Sequence, residues 1–502
     1  MDLILILTFC IFLATLYAIK RKSSFVNCPP GPQPWPVIGH FHLLKPPLYR
    51  SLSQLSKQYG PVFSLWLGKR FIVVVSSANL AQECFTTNDI TFASKPQLAV
   101  GKYLGYDYTS VVWAPYGAHW RNVRKIQVLE LLSSKKIEMF ACIRQEQVSA
   151  LLQSLVEASN REKVVNMKDR ITETIFSIIV KIVANKSYYG CAVQDLKEAK
   201  EFREAIEETF LLTGKVNFGD YIPFLKWVDL QGITRLLRAL GRKRDRIMQQ
   251  IVDEHRKLRS SENDNLKPDF VHMLLAMQEN DPDYFTDDLI KSIIMVMMSA
   301  GTETTAITLE WALALLLNHP YSLQKAQTEL DQRFGRDRLV KESDLPKLEY
   351  LQAIIYETLR LYPPGPMLSP HESTSECTLG GYTVPKGTIL MVNAWHIHRD
   401  HDSWPEPSSF KPESFMGTGV DGRGQDFRFI PFSAGRRICP GMGLALRSAV
   451  YVLGCLLHGF EWQREGIEPV DMSEGAGLTM PRAVPLKAFV TPRLPLHVYP
   501  LA

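Results

Sequence analysis

From Leu3 to Ile19 every position is apolar except Thr8 and Thr15, and Lys20-Arg21-Lys22 follows directly. Such a run just crosses a thin bilayer as a helix, and the basic cluster behind it keeps that end cytosolic. A cleaved leader would carry its charge before the apolar run and a small-residue site after it. Residues 1–22 therefore read as an uncleaved signal-anchor. Pro29-Pro30-Gly31-Pro32-Gln33-Pro34-Trp35-Pro36 is too proline-dense for helix or ladder, so 23–36 reads as a semi-rigid hinge. Alternation then predicts a hairpin, Val62–Leu67 with Phe71–Val75 across Gly68-Lys69-Arg70. A second strand pair is expected between Thr378 and Val392, turning at Gly380-Gly381.

Between about residue 115 and 360 nearly every window has a helical period, including Lys135–Glu157, Ile171–Ala184 and Gln231–Arg259. The longest helix is expected to start near Thr286-Asp287-Asp288, where acids suit the N-terminal dipole, and to stop before Pro320. At 1.5 Å per residue it is roughly 50 Å long, enough to cross the molecule. The fold class is mainly α with small β-sheets. No linker or repeat divides 37–502, which reads as one domain.

Composition narrows the choice. With 46% hydrophobic and 22% charged residues among 502, the chain is not disordered. A net charge of +5 is too mild for a nucleic-acid binder and suits a membrane surface or an acidic partner. Eight cysteines without a C-x-x-C read as reduced thiols.

Four constellations carry chemistry. Cys439 stands in Pro431-Phe432-Ser433-Ala434-Gly435-Arg436-Arg437-Ile438-Cys439-Pro440-Gly441. That turn offers a thiolate backbone N–H groups, nearby positive charge, and glycines that admit a flat ligand. An isolated cysteine is most often a small buried hydrophobe; the matched positions around this one point elsewhere. Ala300-Gly301-Thr302-Glu303-Thr304-Thr305 puts an acid and hydroxyls beside a glycine in mid-helix, and Gly301 costs about 1 kcal/mol against alanine. Glu357-Thr358-Leu359-Arg360 sets an acid and an arginine three apart on one helical face, a spacing that alone means a weak surface pair. Trp120 and Arg124 align an indole N–H and a guanidinium at i and i+4; standing alone they make a surface cation–π pair. The spacing of His396, His398 and His401 fits no closed zinc site, so these read as structural.

The spacing Phe432, Gly435, Arg437, Cys439, Gly441 resembles the haem-binding signature of cytochromes P-450. The other three constellations resemble further signatures of that family. The resemblance implies the cytochrome P-450 fold from about Pro29 onward, with the Cys439 thiolate as axial ligand to the iron of haem b. It implies that Thr304 hydrogen-bonds dioxygen at the iron, beneath a local helix distortion, while Glu303 supplies protons through water. Trp120 and Arg124 would hold one haem propionate, with Arg437 and His371 at the other. Glu357 and Arg360 would lock the segment that carries the cysteine loop. Family members usually add an arginine from Phe-x-Pro-Glu-Arg-Phe; this chain has Phe410-Lys411-Pro412-Glu413-Ser414-Phe415. Ser414 cannot donate a forked charged bond, so Glu357 is expected to lose a partner and the haem-loaded fold some stability. The resemblance also implies O2 as co-substrate and electrons from NADPH through a membrane flavoprotein reductase. Arg121, Lys125 and Arg447 are candidates for the reductase-facing patch. A single-pass protein of the endoplasmic reticulum membrane follows, its catalytic domain cytosolic, a monomer or weakly self-associating.

Pro36-Val37-Ile38-Gly39-His40, Ala114-Pro115-Tyr116-Gly117-Ala118-His119-Trp120-Arg121 and Gly475-Ala476-Gly477-Leu478-Thr479-Met480-Pro481 resemble plant A-type enzymes. The likeness is to the group with isoflavone 2′-hydroxylases, sesamin-forming enzymes and xanthone-forming benzophenone oxidases. It implies hydroxylation of a small aromatic or phenolic metabolite, with oxidative C–O coupling or ring closure as the alternative. A non-catalytic haem-binding membrane protein is the competing class; having both Glu303 and Thr304 argues against it, since a carrier needs no proton relay. Tyr103, Tyr106, Tyr108 and Trp113 are expected to roof the substrate pocket. Val111, Phe210, Ala300, Met367, Leu368 and Leu478 are expected among its other walls.

Overall fold

The computed structural model describes residues 27–188, 196–260 and 269–500, so the expected anchor at 1–22 lies outside the described residues. Helices dominate. Those that position the site are α1 (Ala118–Gln127), α2 (Ala141–Asn160), α3 (Met167–Ala184), α4 (Leu196–Thr213), α5 (Ile233–Ser260), α6 (Phe270–Asn280), α7 (Asp287–Asn318), α8 (Glu349–Leu361) and α9 (Met442–Gly459). The axis is α7, whose cap Thr286 accepts a hydrogen bond from the Leu289 N–H and whose end falls just before Pro320. It packs along α3 and against α5, α8 and α9. Both α7 and α9 are long and apolar enough to cross a bilayer, and most of each is buried inside the protein. Their hydrophobicity serves the core.

The helix expected over Lys135–Glu157 is two helices, Ser134–Met139 and α2. Arg144 donates Nη2 to the Ile137 carbonyl at 2.6 Å, taking an acceptor that a continuous helix would need for itself.

Strands β1 (Val62–Leu67) and β2 (Arg70–Val75) form the expected hairpin. Strand β3 (Val165–Asn166) pairs with β9 (Lys487–Pro492), which also pairs with β8 (Phe460–Arg464). Strands β4 (His371–Glu372) and β7 (Ile389–Val392) complete the first sheet in the order β1-β2-β7-β4, with β7 parallel to β2. The pair expected around Gly380-Gly381 is β5 (Cys377–Leu379) and β6 (Tyr382–Val384). Both glycines have positive φ, 57° and 80°, as that tight turn requires.

One buried pair joins these layers. Glu357 and Arg360 have side chains 0% and 2% exposed. Arg360 places all five of its N–H bonds: Nε and Nη2 on the two Glu357 oxygens (2.6 and 2.7 Å), Nη1 on the carbonyls of His398 and Pro407 (2.9 and 2.8 Å), Nη2 again on Ser409 (3.0 Å). Ser414 is exposed, and Glu357 accepts the Lys411 backbone N–H at 2.8 Å; burial still raises its carboxyl against that bond and Arg360. His398 accepts the Ile430 N–H at 3.0 Å. Burial, then the charges of Arg399 and Arg360, push its imidazole down to about 3, so the ring stays a neutral acceptor. Arg360→Leu is expected to cost about 3–5 kcal/mol by stranding the buried Glu357. Ser414→Arg should shift stability by less than about 0.5 kcal/mol, an ordinary surface effect. Thermal unfolding of both variants checks this, and a clear gain from Ser414→Arg would mean that Glu357 is under-bonded after all.

Candidate functional site

Helices α1, α3, α7, α8 and α9 and the loop before α9 enclose a cavity of about 370 Å³ with mostly apolar walls. Cys439 lines it from one side and Ala300, Gly301 and Thr304 of α7 from another. The cysteine loop is fixed by its own backbone, the Cys439 N–H donating to the Phe432 carbonyl at 2.9 Å. Gly435 turns with φ 65°, and a Cβ there would lie 2.5 Å from Asp89 Oδ1 and 2.8 Å from the Phe85 carbonyl. Only glycine fits. Burial raises the Cys439 thiol, while the backbone N–H groups of Gly441 and Met442 and the charge of Arg124 work to lower it. The sulfur is thus buried, yet hydrogen-bonded and faced by positive charge as an anion would be.

Around one side of this cavity lies a cluster of bases. Arg124 donates to the Ile438 carbonyl at 2.5 Å. Arg437 donates to the carbonyls of Ala93, Val111 and Ala114 at 2.6, 3.0 and 2.6 Å. The Trp120 indole N–H also goes to Val111, at 3.1 Å. His371 stands behind them, its Nδ1 bonded to the Phe92 carbonyl at 2.5 Å. Lys95, which sequence reasoning missed, joins the cluster through the Ser369 and Pro370 carbonyls (3.2 and 3.0 Å) and lines the cavity. Burial, then Arg437, holds its amine well below the ordinary range; burial, then Arg124, brings Arg437 to about 9. Burial, then Lys95 and Arg437, likewise depresses His371. No carboxylate among the described residues figures in these shifts. A buried cation cluster without an acid is a built anion site.

The haem that the resemblance implies needs an anionic ligand for its iron and cations for its two carboxylates. The buried thiol of Cys439 and the uncompensated bases fit both demands.

Thr304 and Glu303, adjacent in sequence, face opposite ways. Thr304 lines the cavity and its Oγ1 donates to the Ala300 carbonyl at 2.8 Å. Glu303 lines a second cavity of about 500 Å³ with Lys168, Glu207 and Glu310. Burial, then Glu207, raises the Glu303 carboxyl to about 7, with Lys168 opposing. The distortion expected over the haem is not there: α7 runs unbroken from 287 to 318. Gly301 instead admits α3, since a Cβ would meet Ile179 Cδ1 at 3.1 Å.

Of the expected pocket walls, Val111, Ala300, Met367 and Leu368 line the cavity, whereas Tyr103, Phe210 and Leu478 do not. Tyr103 bonds Arg238 at 2.9 Å, Phe210 lines the second cavity, and Leu478 is 37% exposed. Tyr106 lies near Lys291 and the Tyr108 hydroxyl bonds the Leu98 carbonyl, so the aromatic roof is absent from the lining. Val112, Ile179, Val296 and Met297 stand there, with the fully buried amide of Gln127 left without a partner. Gln127 was legible as i+7 from Trp120 and i+3 from Arg124, on the same helical face. Arg121 and Lys125 are exposed on α1, but Arg447 is tied to Glu342 at 2.9 Å, which Arg144 also holds at 2.6 Å.

Comparison with known proteins agrees with this geometry. Residues 29–486 match a family model described as Cytochrome P450. The chain is 47% identical to cytochrome P450 81Q32 of Catharanthus roseus, covering 96% of this chain and 94% of that one. It is 44% identical to (+)-piperitol/(+)-sesamin synthase of Sesamum radiatum (97% and 96%) and 41% to isoflavone 2′-hydroxylase of Medicago truncatula (98% and 98%). A zebrafish cytochrome P450 solved with abiraterone superposes with TM-score 0.74 at 27% identity, over 89% of this chain and all of that one.

Lys95→Met keeps the bulk of the side chain and removes its charge. It is expected to lower the haem retained per polypeptide without altering far-ultraviolet circular dichroism; unchanged haem content would take Lys95 out of the anion site.

Proposed function

The chain belongs to the cytochrome P450 family, and from that premise we propose that it hydroxylates a small aromatic or phenolic plant metabolite. As a member it is a haem-thiolate monooxygenase that consumes O2 and receives electrons through a redox-partner reductase. The observation that carries the reading is the apolar cavity with the Cys439 sulfur on one side and the Thr304 hydroxyl on the other. Its aliphatic and methionine walls suit a flat ring, since thioethers pack well against aromatic faces. Relatives named as isoflavone 2′- and 3′-hydroxylases support the phenolic class.

In this reading Cys439 holds the haem iron and Trp120, Arg124, Arg437, His371 and Lys95 hold its carboxylates. The haem supplies dioxygen reduction and oxidation of the substrate carbon. The chain's own residues exclude water from the cavity and handle protons. Thr304 Oγ1 is the proton-handling atom on the cavity side, and the Glu303 carboxyl, titrating near neutrality, is the one on the wet side.

The domain reading belongs to the same proposal: an anchor at 1–22, a hinge at 23–36 and a catalytic domain at 37–502. The chain is then a single-pass protein of the endoplasmic reticulum, facing the cytosol, monomeric or weakly self-associating, with NADPH as the source of electrons. An exposed apolar surface between α4 and α5 supports a seat on the bilayer. It comprises Phe224 (59% exposed), Trp227 (90%), Val228 (66%) and Leu230 (69%), with Arg235 close behind. A second reading, ring closure without net oxygen insertion, is favoured by the likeness to (+)-piperitol/(+)-sesamin synthase.

Membranes expressing the chain should give the thiolate-type carbon-monoxide difference band, absent from Cys439→Ala; its absence from the native protein would sink the haem-thiolate reading. Turnover of isoflavones and lignans with NADPH, reductase and heavy-isotope dioxygen then separates the two reactions. Label in a hydroxylated product supports hydroxylation, and an unlabelled closed ring supports the second reading.

Glu303 makes a separate prediction. Its proton leaves at about 7 in the fold against 4.5 in an unfolded chain. The stability that this group contributes is therefore full below 4.5 and lost as pH rises to about 7. Glu303→Gln should raise the melting temperature above neutral pH, progressively less below it, while turnover falls and its ionisation near 7 disappears from the pH profile. Unchanged turnover and an unchanged profile would remove Glu303 from the relay.

A further inference from the structure

Away from the cavity, where α5 ends and α6 begins, two histidines and an aspartate converge. His255 lies on α5, and Asp269 caps α6 by accepting the His272 backbone N–H at 2.9 Å. The imidazole Nδ1 of His255 is 2.7 Å from the Ile251 carbonyl, one turn back. A carbonyl only accepts, so Nδ1 carries the hydrogen. In the neutral ring Nε2 is then a bare lone pair, and it sits 3.0 Å from Asp269 Oδ2. Lone pair against carboxylate is repulsive unless a cation lies between them. His272 brings its Nδ1 to 2.9 Å from the other oxygen of Asp269.

The ligand atoms of all three side chains fall within 4.8 Å of one another. The site is dry but not sealed: His255 is 3%, Asp269 6% and His272 12% exposed at the side chain, so access is from the His272 side. The other neighbours are compatible. The Ala184 carbonyl at the end of α3 also bonds His255, and Arg259, held by Glu279, donates to the His272 carbonyl at 2.9 Å. A proton is one cation that serves. Burial works to keep His255 neutral, yet the hydrogen bond and charge of Asp269 raise its pKa above the ordinary value. Burial works to raise Asp269, yet His255 and the bonds from His272 bring it below the ordinary carboxylate range.

We propose that His255, Asp269 and His272 form a divalent metal site, best suited to zinc, that clips the end of α5 to the start of α6. Two imidazoles and one carboxylate make a three-ligand set that leaves a fourth tetrahedral position for water. Tetrahedral zinc separates ligand atoms by roughly 3.3 Å; the two contacts to Asp269, made through its two different oxygens at 3.0 and 2.9 Å, then need a turn of the carboxylate, and the two imidazoles already lie within 4.8 Å of one another. The Ile251 carbonyl orients His255 as outer partners of zinc-bound histidines do. On binding, zinc replaces the proton at His255 Nε2, which is released, and the His272 proton moves from Nδ1 to Nε2. The ion's oxidation state does not change. Because the metal holds only the folded arrangement, it stabilises the protein by mass action.

The test uses the full-length holoprotein, stripped with a chelator and titrated with zinc chloride. The expected result is one zinc per chain, about one proton released as read from titrations in two buffers of different ionisation heat, and a higher melting temperature. His272→Ala should weaken binding by at least about tenfold and abolish the thermal shift, with the carbon-monoxide spectrum and reductase-supported NADPH consumption unchanged. His255→Gln should do the same; if it does not fold, His272→Ala decides alone. Zinc affinity equal in His272→Ala and native protein overturns the site. So does a zinc absorption-edge spectrum with sulfur at about 2.3 Å, which would place the ion on cysteines.

Discussion

The position of Cys439 depends on a buried guanidinium having nowhere else to go. Arg360 places five N–H bonds on four residues, three of them carbonyls of the loop 398–409. Losing any one carbonyl leaves a buried N–H of a charged group without an acceptor, so the loop is held to α8. From that loop the His398 ring reaches the Ile430 N–H, and Ile430 leads directly into Pro431 and the cysteine turn. The neutrality of His398 is part of the same design: the Arg360 that its carbonyl binds also helps to keep its ring unprotonated. Arg360 thus sets backbone position at one end of the segment and, after burial and Arg399, adds to the neutrality of the acceptor at the other.

The site is divided by sign. Bases cluster beside the cysteine loop, where the carboxylates of the haem would go, and carboxylates gather across α7 in the second cavity. The two groups do not neutralise one another because a buried helix stands between them. Glu303 titrates near neutrality chiefly because it is buried, and then because Glu207 stands near it, with Lys168 opposing.

What could be read from the sequence was local. Thr286 and Pro320 bracket α7 because a cap and a proline act on their own helix, and Gly380-Gly381 turns its hairpin for the same reason. Cys439 and the Glu357–Arg360 pair were legible through spacing. Lys95 was not, because it sits in a loop without periodicity and only tertiary packing brings it to Arg437. The aromatic roof failed because side-chain direction in that loop is set by α5: Arg238 takes Tyr103, and Gly241 lets the Tyr103 backbone press against the helix. The surroundings of Glu357 were hidden for a different reason. The Lys411 bond that it accepts comes from a main-chain N–H, which residue identity cannot announce.

Thr304 and Glu303 put a hydroxyl in the apolar cavity and an acid in the polar one, with α7 between them. Reactions that reduce dioxygen lose efficiency when protons arrive with loose water, because reduced oxygen then escapes as peroxide in place of product. On the proposed function, a helix that keeps the polar cavity apart from the apolar one bears on the fraction of electrons that end in the substrate. Lys168 and Glu207, which touch neither the substrate cavity nor the cysteine loop, act on the charge of Glu303 and leave the shape of the substrate cavity alone.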